Sequence, residues 1–198
     1  GSNYPTFTLD YTKGIKNIFG SDVDYDKWSL NIADNVNLKL AGAIKYRVTV
    51  GGFLNNKSVF AQDYKDYYTS FSHIAGEYVR SFQNLNYYQF SNDSPFYTEL
   101  HLEHHANGLL TNKIPLFQPL TWNLVEGATA LYINPDTKYA EAFAGLENIF
   151  KIFRVDVVAG FQNGSRTIYT YRIGFGGLIG HAMNIQRFRR VEKVIGVW

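Results

Sequence analysis

The chain has no cysteine, so disulfides, thiol nucleophiles and thiolate metal sites are excluded. It also lacks any run of about 18 consecutive apolar residues, which excludes a transmembrane helix. A transmembrane strand of about 9–11 alternating residues leaves no such run, so the second absence says nothing against a barrel. Charge is scarce: Asp, Glu, Lys and Arg make up 18% of the 198 residues, against about 25% in an ordinary soluble domain. With 19 basic and 17 acidic side chains the net charge is +2, too little for the basic footprint that nucleic-acid binding requires. There is no signal-peptide hydrophobic region, and the opening Gly1-Ser2 reads as a vector-derived start, so a longer natural precursor is expected.

What the chain does have is aromatic side chains, 15 Tyr and 15 Phe, and a side-chain period of two. In Arg166–Gly177 one parity carries Tyr169, Tyr171, Ile173 and Phe175, and the other Thr170, Arg172, Gly174 and Gly176. The same alternation recurs at Thr6–Thr12, Trp28–Ile32, Val36–Val50, Asn84–Phe90, Phe96–Ala106, Leu120–Ile133, Lys138–Glu147 and Ile152–Phe161. In the third of these, Ile44, Tyr46, Val48 and Val50 oppose Lys45, Arg47 and Thr49, giving one greasy and one wet wall.

Turn chemistry separates the segments: Asp34-Asn35, Ser91–Pro95, Asn134–Thr137 and Gln162–Ser165, the last with an Asn-Gly pair. Residues 55–82 keep no period and read as a long loop with a short helix around Ser72–Ser81. Asn107–Pro119, with Gly108, Pro115 and Pro119, does not suit a central strand.

The expected fold is therefore all-β: an antiparallel up-and-down transmembrane β-barrel, with about nine strands counted and 8–10 allowed, either complete or the C-terminal part of a larger barrel. Bacterial single-chain barrels close with an even number, so an odd count points to a miscounted strand or to a segment. The barrel is expected to occupy residues 1–177. Residues 178–198 hold Arg187, Arg189, Arg190 and Lys193 against Glu192; a disordered tail, a short amphipathic helix and an added strand are the alternatives for them.

One constellation carries possible chemistry. Glu99, His101, Glu103 and His105 share a strand face, with neighbours roughly 6.5–7 Å apart, too wide to clasp one ion unaided. Together with Glu141, Arg154 and Asp156 on other inner parities they form a candidate lumenal polar network, since polar groups inside a small barrel must satisfy one another. His104, on the opposite parity, is expected at the lipid face or its rim. No GxSxG elbow, GxGxxG cradle or other catalytic motif occurs, so no enzymatic activity, cofactor or metal is expected.

Several segments resemble a family of Gram-negative outer-membrane proteins of unassigned function, whose members carry an N-terminal carboxypeptidase-regulatory-like domain and a C-terminal barrel. The carrying residues are Tyr87-Tyr88-Gln89-Phe90-Ser91, Glu99-Leu100-His101-Leu102-Glu103-His104-His105, Asn112-Lys113-Ile114-Pro115-Leu116 and Gly145–Asp156. The likeness spans roughly residues 4–177. Tyr4–Gly14 also looks like a strand of the barrel superfamily that includes outer-membrane assembly factors. The resemblance implies a β-barrel in the cell outer membrane and no peptidase chemistry.

Its implied role is membrane anchor, assembly platform or conduit. The implied partners are the lipid bilayer, the outer-membrane assembly machinery during insertion, and the remainder of its own barrel or a second copy. The competing expectation is a soluble lipocalin-like barrel, in which the apolar parity would line a cavity for an apolar small ligand. An outer-membrane lipolytic or proteolytic enzyme would have to draw its catalytic groups from polar positions without a motif.

Overall fold

The computed structural model describes residues 4–17, 20–70, 73–106, 122–163 and 167–175. The expectations for residues 107–119 and 178–198 lie outside them.

Eight strands make one antiparallel sheet in chain order: β1 (Thr6–Gly14), β2 (Asp24–Asn37), β3 (Ala43–Ser58), β4 (Tyr97–His105), β5 (Asn123–Asn134), β6 (Thr137–Ile149), β7 (Phe153–Gln162) and β8 (Ile168–Phe175). Each strand pairs with the next in sequence, so the topology is up-and-down. The sheet is not closed: β1 and β8 do not pair with each other.

Two expected elements are corrected: the first moves a turn without changing the number of strands, and the second takes the count from nine to eight. Asp34-Asn35 is not a turn, because β2 runs through it in ladder with Tyr46 and Lys45 of β3. The reversal lies instead at the 3-10 turn Lys39–Ala41, where Lys39 takes φ 57° and Gly42 φ 94°. A Cβ at Gly42 would stand 1.8 Å from the His105 carbonyl oxygen, so glycine is required there both by φ and by space.

Asn84–Phe90 is not a strand either. The backbone N–H groups of Gln83 and Asn84 donate to the Glu141 carboxylate, not to a neighbouring strand, and Tyr88 turns the chain at φ 59°. The expected helix around 72–81 is likewise absent over 73–81, where a single turn joins Ser81 N–H to Glu77 O.

Residues 59–96, the connection between β3 and β4, form an insert that lies over one face of the sheet. The apolar side chains it buries are Tyr67, Tyr78, Phe82 and Leu85. Tyr67, Phe82 and Leu85 pack with Tyr97 of β4, Leu131 and Ile133 of β5, and Tyr139 of β6. Tyr78 packs with Val125, Phe143 and Val158. The insert returns into β4 along β3, with Phe53 N–H donating to Ser94 O at 3.0 Å. Near residue 74 it also reaches the edge of β8: Ala75 N–H donates to Ile173 O, and Ile173 N–H to His73 O, each at 2.8 Å.

The two faces of the sheet therefore differ as the alternation implied. On the bare face stand Leu9, Leu100, Val157, Tyr169, Tyr171, Ile173 and Phe175, all exposed, with Leu9 72% and Tyr169 73% exposed. Under the insert lie Glu99, His101, Glu103, Thr129, Glu141, Arg154, Asp156 and Arg172, all buried. The covered face is thus mixed, since Tyr97, Leu131, Tyr139, Phe143 and Val158 are buried there beside the charged groups.

Candidate functional site

The covered face of β4–β8 positions a polar network in which period two brings all seven sequence-predicted residues to one side. Glu103 of β4 is its hub, reaching across β5 and β6 to Arg154 of β7, whose Nη1 donates to Glu103 Oε1. The Arg154 Nε donates to Asp156 at 2.8 and 2.9 Å. Asp156, fully buried, also accepts from the Tyr78 hydroxyl of the insert at 2.9 Å. The Arg154 guanidinium carbon lies 4.4 Å from the centre of the Tyr78 ring, adding a cation–π contact to the ion pairs.

At one end of β4, His105 stands between two carboxylates, its Nδ1 3.1 Å from Glu147 Oε2 and its Nε2 3.4 Å from Glu103 Oε2. Toward the other end, His101 is 1% exposed, with Nδ1 3.0 Å from Tyr78 O and Nε2 3.7 Å from Glu99 Oε2. Glu99 in turn is held by Lys65 of the insert at 2.9 Å. His104, on the other parity, is half-buried, with Nε2 2.7 Å from Ala41 O.

Glu141 belongs to a separate centre. Its Oε1 accepts from Asn84 N–H at 2.7 Å and from the Tyr139 hydroxyl at 2.8 Å, and its Oε2 from Gln83 N–H at 2.8 Å. Backbone dipoles of the insert carry its charge, as charge-assisted hydrogen bonds do in low-dielectric surroundings. From β8, Arg172 Nη2 donates to the carbonyl of the same Gln83, so one peptide of the insert is gripped at both its N–H and its C=O.

The residues missed by sequence reasoning are Lys65, Tyr78, Gln83 and Arg172. Arg172 carried a usable signal, because it stands on the inner parity of a recognisable strand. The other three lie in a segment without periodicity, so nothing in their spacing ties them to the sheet.

Burial sets the chemistry of the insert's two buried phenols. It pushes the Tyr78 hydroxyl far above its ordinary 10.0, and the neighbouring Asp156 carboxylate adds to the effect. Burial likewise raises Tyr67, while the hydrogen bond from Asn92 opposes the rise. Both are therefore neutral hydrogen-bonding groups over the whole physiological range.

Among the described residues no three His, Asp or Glu side chains converge in a metal-binding arrangement. A cleft of about 190 Å³ opens between Lys65 of the insert and β1–β3, lined by Asp10, Lys27, Ser29, Phe53 and Tyr97 among others. Ion pairs and hydrogen bonds from the network to Lys65, Tyr78, Gln83 and Asn84 tie the insert to the sheet.

No curated protein and no solved structure matches the chain. A family model does match, from residue 1 to residue 146, ending inside β6, so that β7 and β8 continue the sheet beyond it. Through that match the chain belongs to a family of unknown function, as its C-terminal domain (DUF5686).

Proposed function

We propose that this domain is a segment of an outer-membrane β-barrel wall, serving as a membrane anchor, assembly platform or conduit and performing no catalysis of its own. The observation that carries the proposal is the inverted sheet. Apolar and aromatic side chains stand exposed on one face from β1 to β8, while charged groups are buried on the other under the insert. In water such a face is a large uncompensated apolar patch, whereas against hydrocarbon it is the ordinary exterior of a barrel.

Strand length agrees with this role. β1, β4 and β7 have 9, 9 and 10 residues, close to the roughly 9–11 that cross a bilayer with tilt. The open sheet implies further staves. β1 offers an edge without a partner strand, and the even count of eight gives β1 and β8 opposite directions, so antiparallel strands added between them keep the alternation around a closed wall. The added staves come from the remainder of the same barrel or from a second copy. The insert, packed over the polar face, takes the place of a plug.

A lipocalin-type role requires the apolar parity to line the cavity. Here that parity faces away from the insert, which favours the membrane reading. The test is behavioural: the folded protein is expected to need detergent or lipid to stay dispersed, and to migrate faster on a denaturing gel unboiled than boiled. Monodisperse solubility without detergent would overturn the proposal.

A further inference from the structure

On the covered side the insert braces β4–β8, and there the buried cations have countercharges or carbonyl acceptors: Arg154 with Glu103 and Asp156, Lys65 with Glu99, and Arg172 with the Gln83 carbonyl. The same side of β3 breaks this pattern. Lys45 and Arg47 stand two apart on the inner parity, roughly 6.5–7 Å along the strand, and no carboxylate among the described residues lies within ion-pair distance of either.

The acids nearest to them are already engaged. Lys45 is in register with Glu103, which is turned to Arg154 and His105, and Thr49 is in register with Glu99, which is turned to Lys65. The other charged groups facing Arg47 are Arg80 and Glu77 of the insert, and these pair with each other at 3.5 Å.

Arg47 is nevertheless held in place. Its Nη1 donates to Asn31 Oδ1 at 3.2 Å, and the Asn31 amide nitrogen donates in turn to Thr49 Oγ1 at 2.8 Å. Its Nε is buried and makes no hydrogen bond. Across the ladder from Arg47 stands Ala33, and beyond it, on β1, Thr6. An oriented guanidinium and an ammonium two residues away, neither of them matched by a carboxylate, form a cradle for an oxyanion.

We propose that Lys45 and Arg47, the latter oriented by Asn31, bind a phosphate-bearing solute on the inner wall of β2–β3. A free solute is the ligand, not a lipid headgroup, because the cradle lies on the polar face, opposite the apolar one. Guanidinium and ammonium spaced this way suit a group with several charged oxygens, such as a diphosphate, better than a single carboxylate. The site does not depend on whether the bare face meets lipid.

The test is a calorimetric titration of the dispersed protein with inorganic pyrophosphate, in whichever medium keeps it monodisperse, at two salt concentrations. The wild type is expected to bind, with affinity falling as salt rises. Arg47→Gln and Ala33→Leu are each expected to weaken binding at least tenfold, the first by removing the fork and the second by setting a larger side chain directly across the ladder from the guanidinium. Lys45→Gln supplies a variant whose side chain has no folded-state bond to lose, and it too should weaken binding several-fold.

Far-UV circular dichroism and resistance of the insert to protease show that each variant is folded. Failure of pyrophosphate to bind at millimolar concentration overturns the proposal. So does equal affinity in folded wild type and Lys45→Gln, or equal competition by chloride, which would mark general screening. Because dispersal and gel migration are read separately, loss of this site and loss of the membrane role are told apart.

Discussion

Replacing Glu141 by alanine tests whether the insert is held by the sheet or merely rests on it. In the native structure the carboxylate accepts from the N–H groups of Gln83 and Asn84 and from the Tyr139 hydroxyl, and it is 1% exposed. Each bond to a charged acceptor is worth about 1.5–3 kcal/mol, and the donors left behind have no water to turn to. The bonds share one carboxylate and are not additive, so a loss of roughly 3 kcal/mol in local stability is the expected scale.

The sheet itself keeps its ladders, so the cost falls on the insert. At about 1.4 kcal/mol per decade, amide hydrogen exchange at residues 82–85 should accelerate roughly a hundredfold, and a protease should cut within 59–96. Far-UV circular dichroism should still report the strands. Glu141→Gln, which keeps one acceptor oxygen, should fall between the two. If the alanine variant exchanges and resists protease as the wild type does, the clamp contributes nothing and the packing of Phe82 and Leu85 alone seats the insert.

Three further outcomes follow from the same geometry. Arg154→Met removes the cation shared by Glu103 and Asp156, leaving buried Asp156 with no countercharge and Glu103 with His105 alone, so thermal or denaturant unfolding should show a loss of about 3–5 kcal/mol; no change would mean the pair is not desolvated in solution. The Tyr67 and Tyr78 phenols are raised above the 10.0 they have when unfolded, so the stability they lend is complete below pH 10 and is lost as pH climbs from there toward their folded values. Ultraviolet titration should therefore show the buried tyrosines, Tyr67 and Tyr78 among them, ionising only when the insert loosens, whereas ordinary titration of every tyrosine would refute their burial. Gly42→Ala places a Cβ against the His105 carbonyl at φ 94°, and should cost at least about 1–2 kcal/mol of stability; an unchanged midpoint would show that the β2–β3 turn relaxes freely.

Most of the wall was legible in the chain, because a strand writes its two faces into alternate residues. In β4, Glu99, His101, Glu103 and His105 against Leu100 and Leu102 is enough to say which side chains share a face. The same pattern at β7 brought Arg154 and Asp156 to that face and, with β6, added Glu141. Two local signals misled. Asp34-Asn35 has the residues of a turn, but ladder bonds on β3 hold it extended while Gly42, the residue able to take the positive φ, makes the reversal. Asn84–Phe90 alternates like a strand, but its first backbone donors are taken by Glu141. The insert was opaque for a deeper reason: its structure is written by partners far away in the chain and by no period of its own.

That distance governs the order in which the molecule can be made. Every rung of the sheet joins a strand to its neighbour in sequence, so hairpins can form as soon as each pair has been synthesised. The insert is anchored by contacts spanning 58 residues from Gln83 to Glu141, 78 from Tyr78 to Asp156, and 89 from Gln83 to Arg172. Closing loops of that size is entropically slow and gains nothing until the far strand exists. Residues 59–96 must therefore wait, undocked, while β4 through β8 assemble beside them, and their seating is the final event of folding.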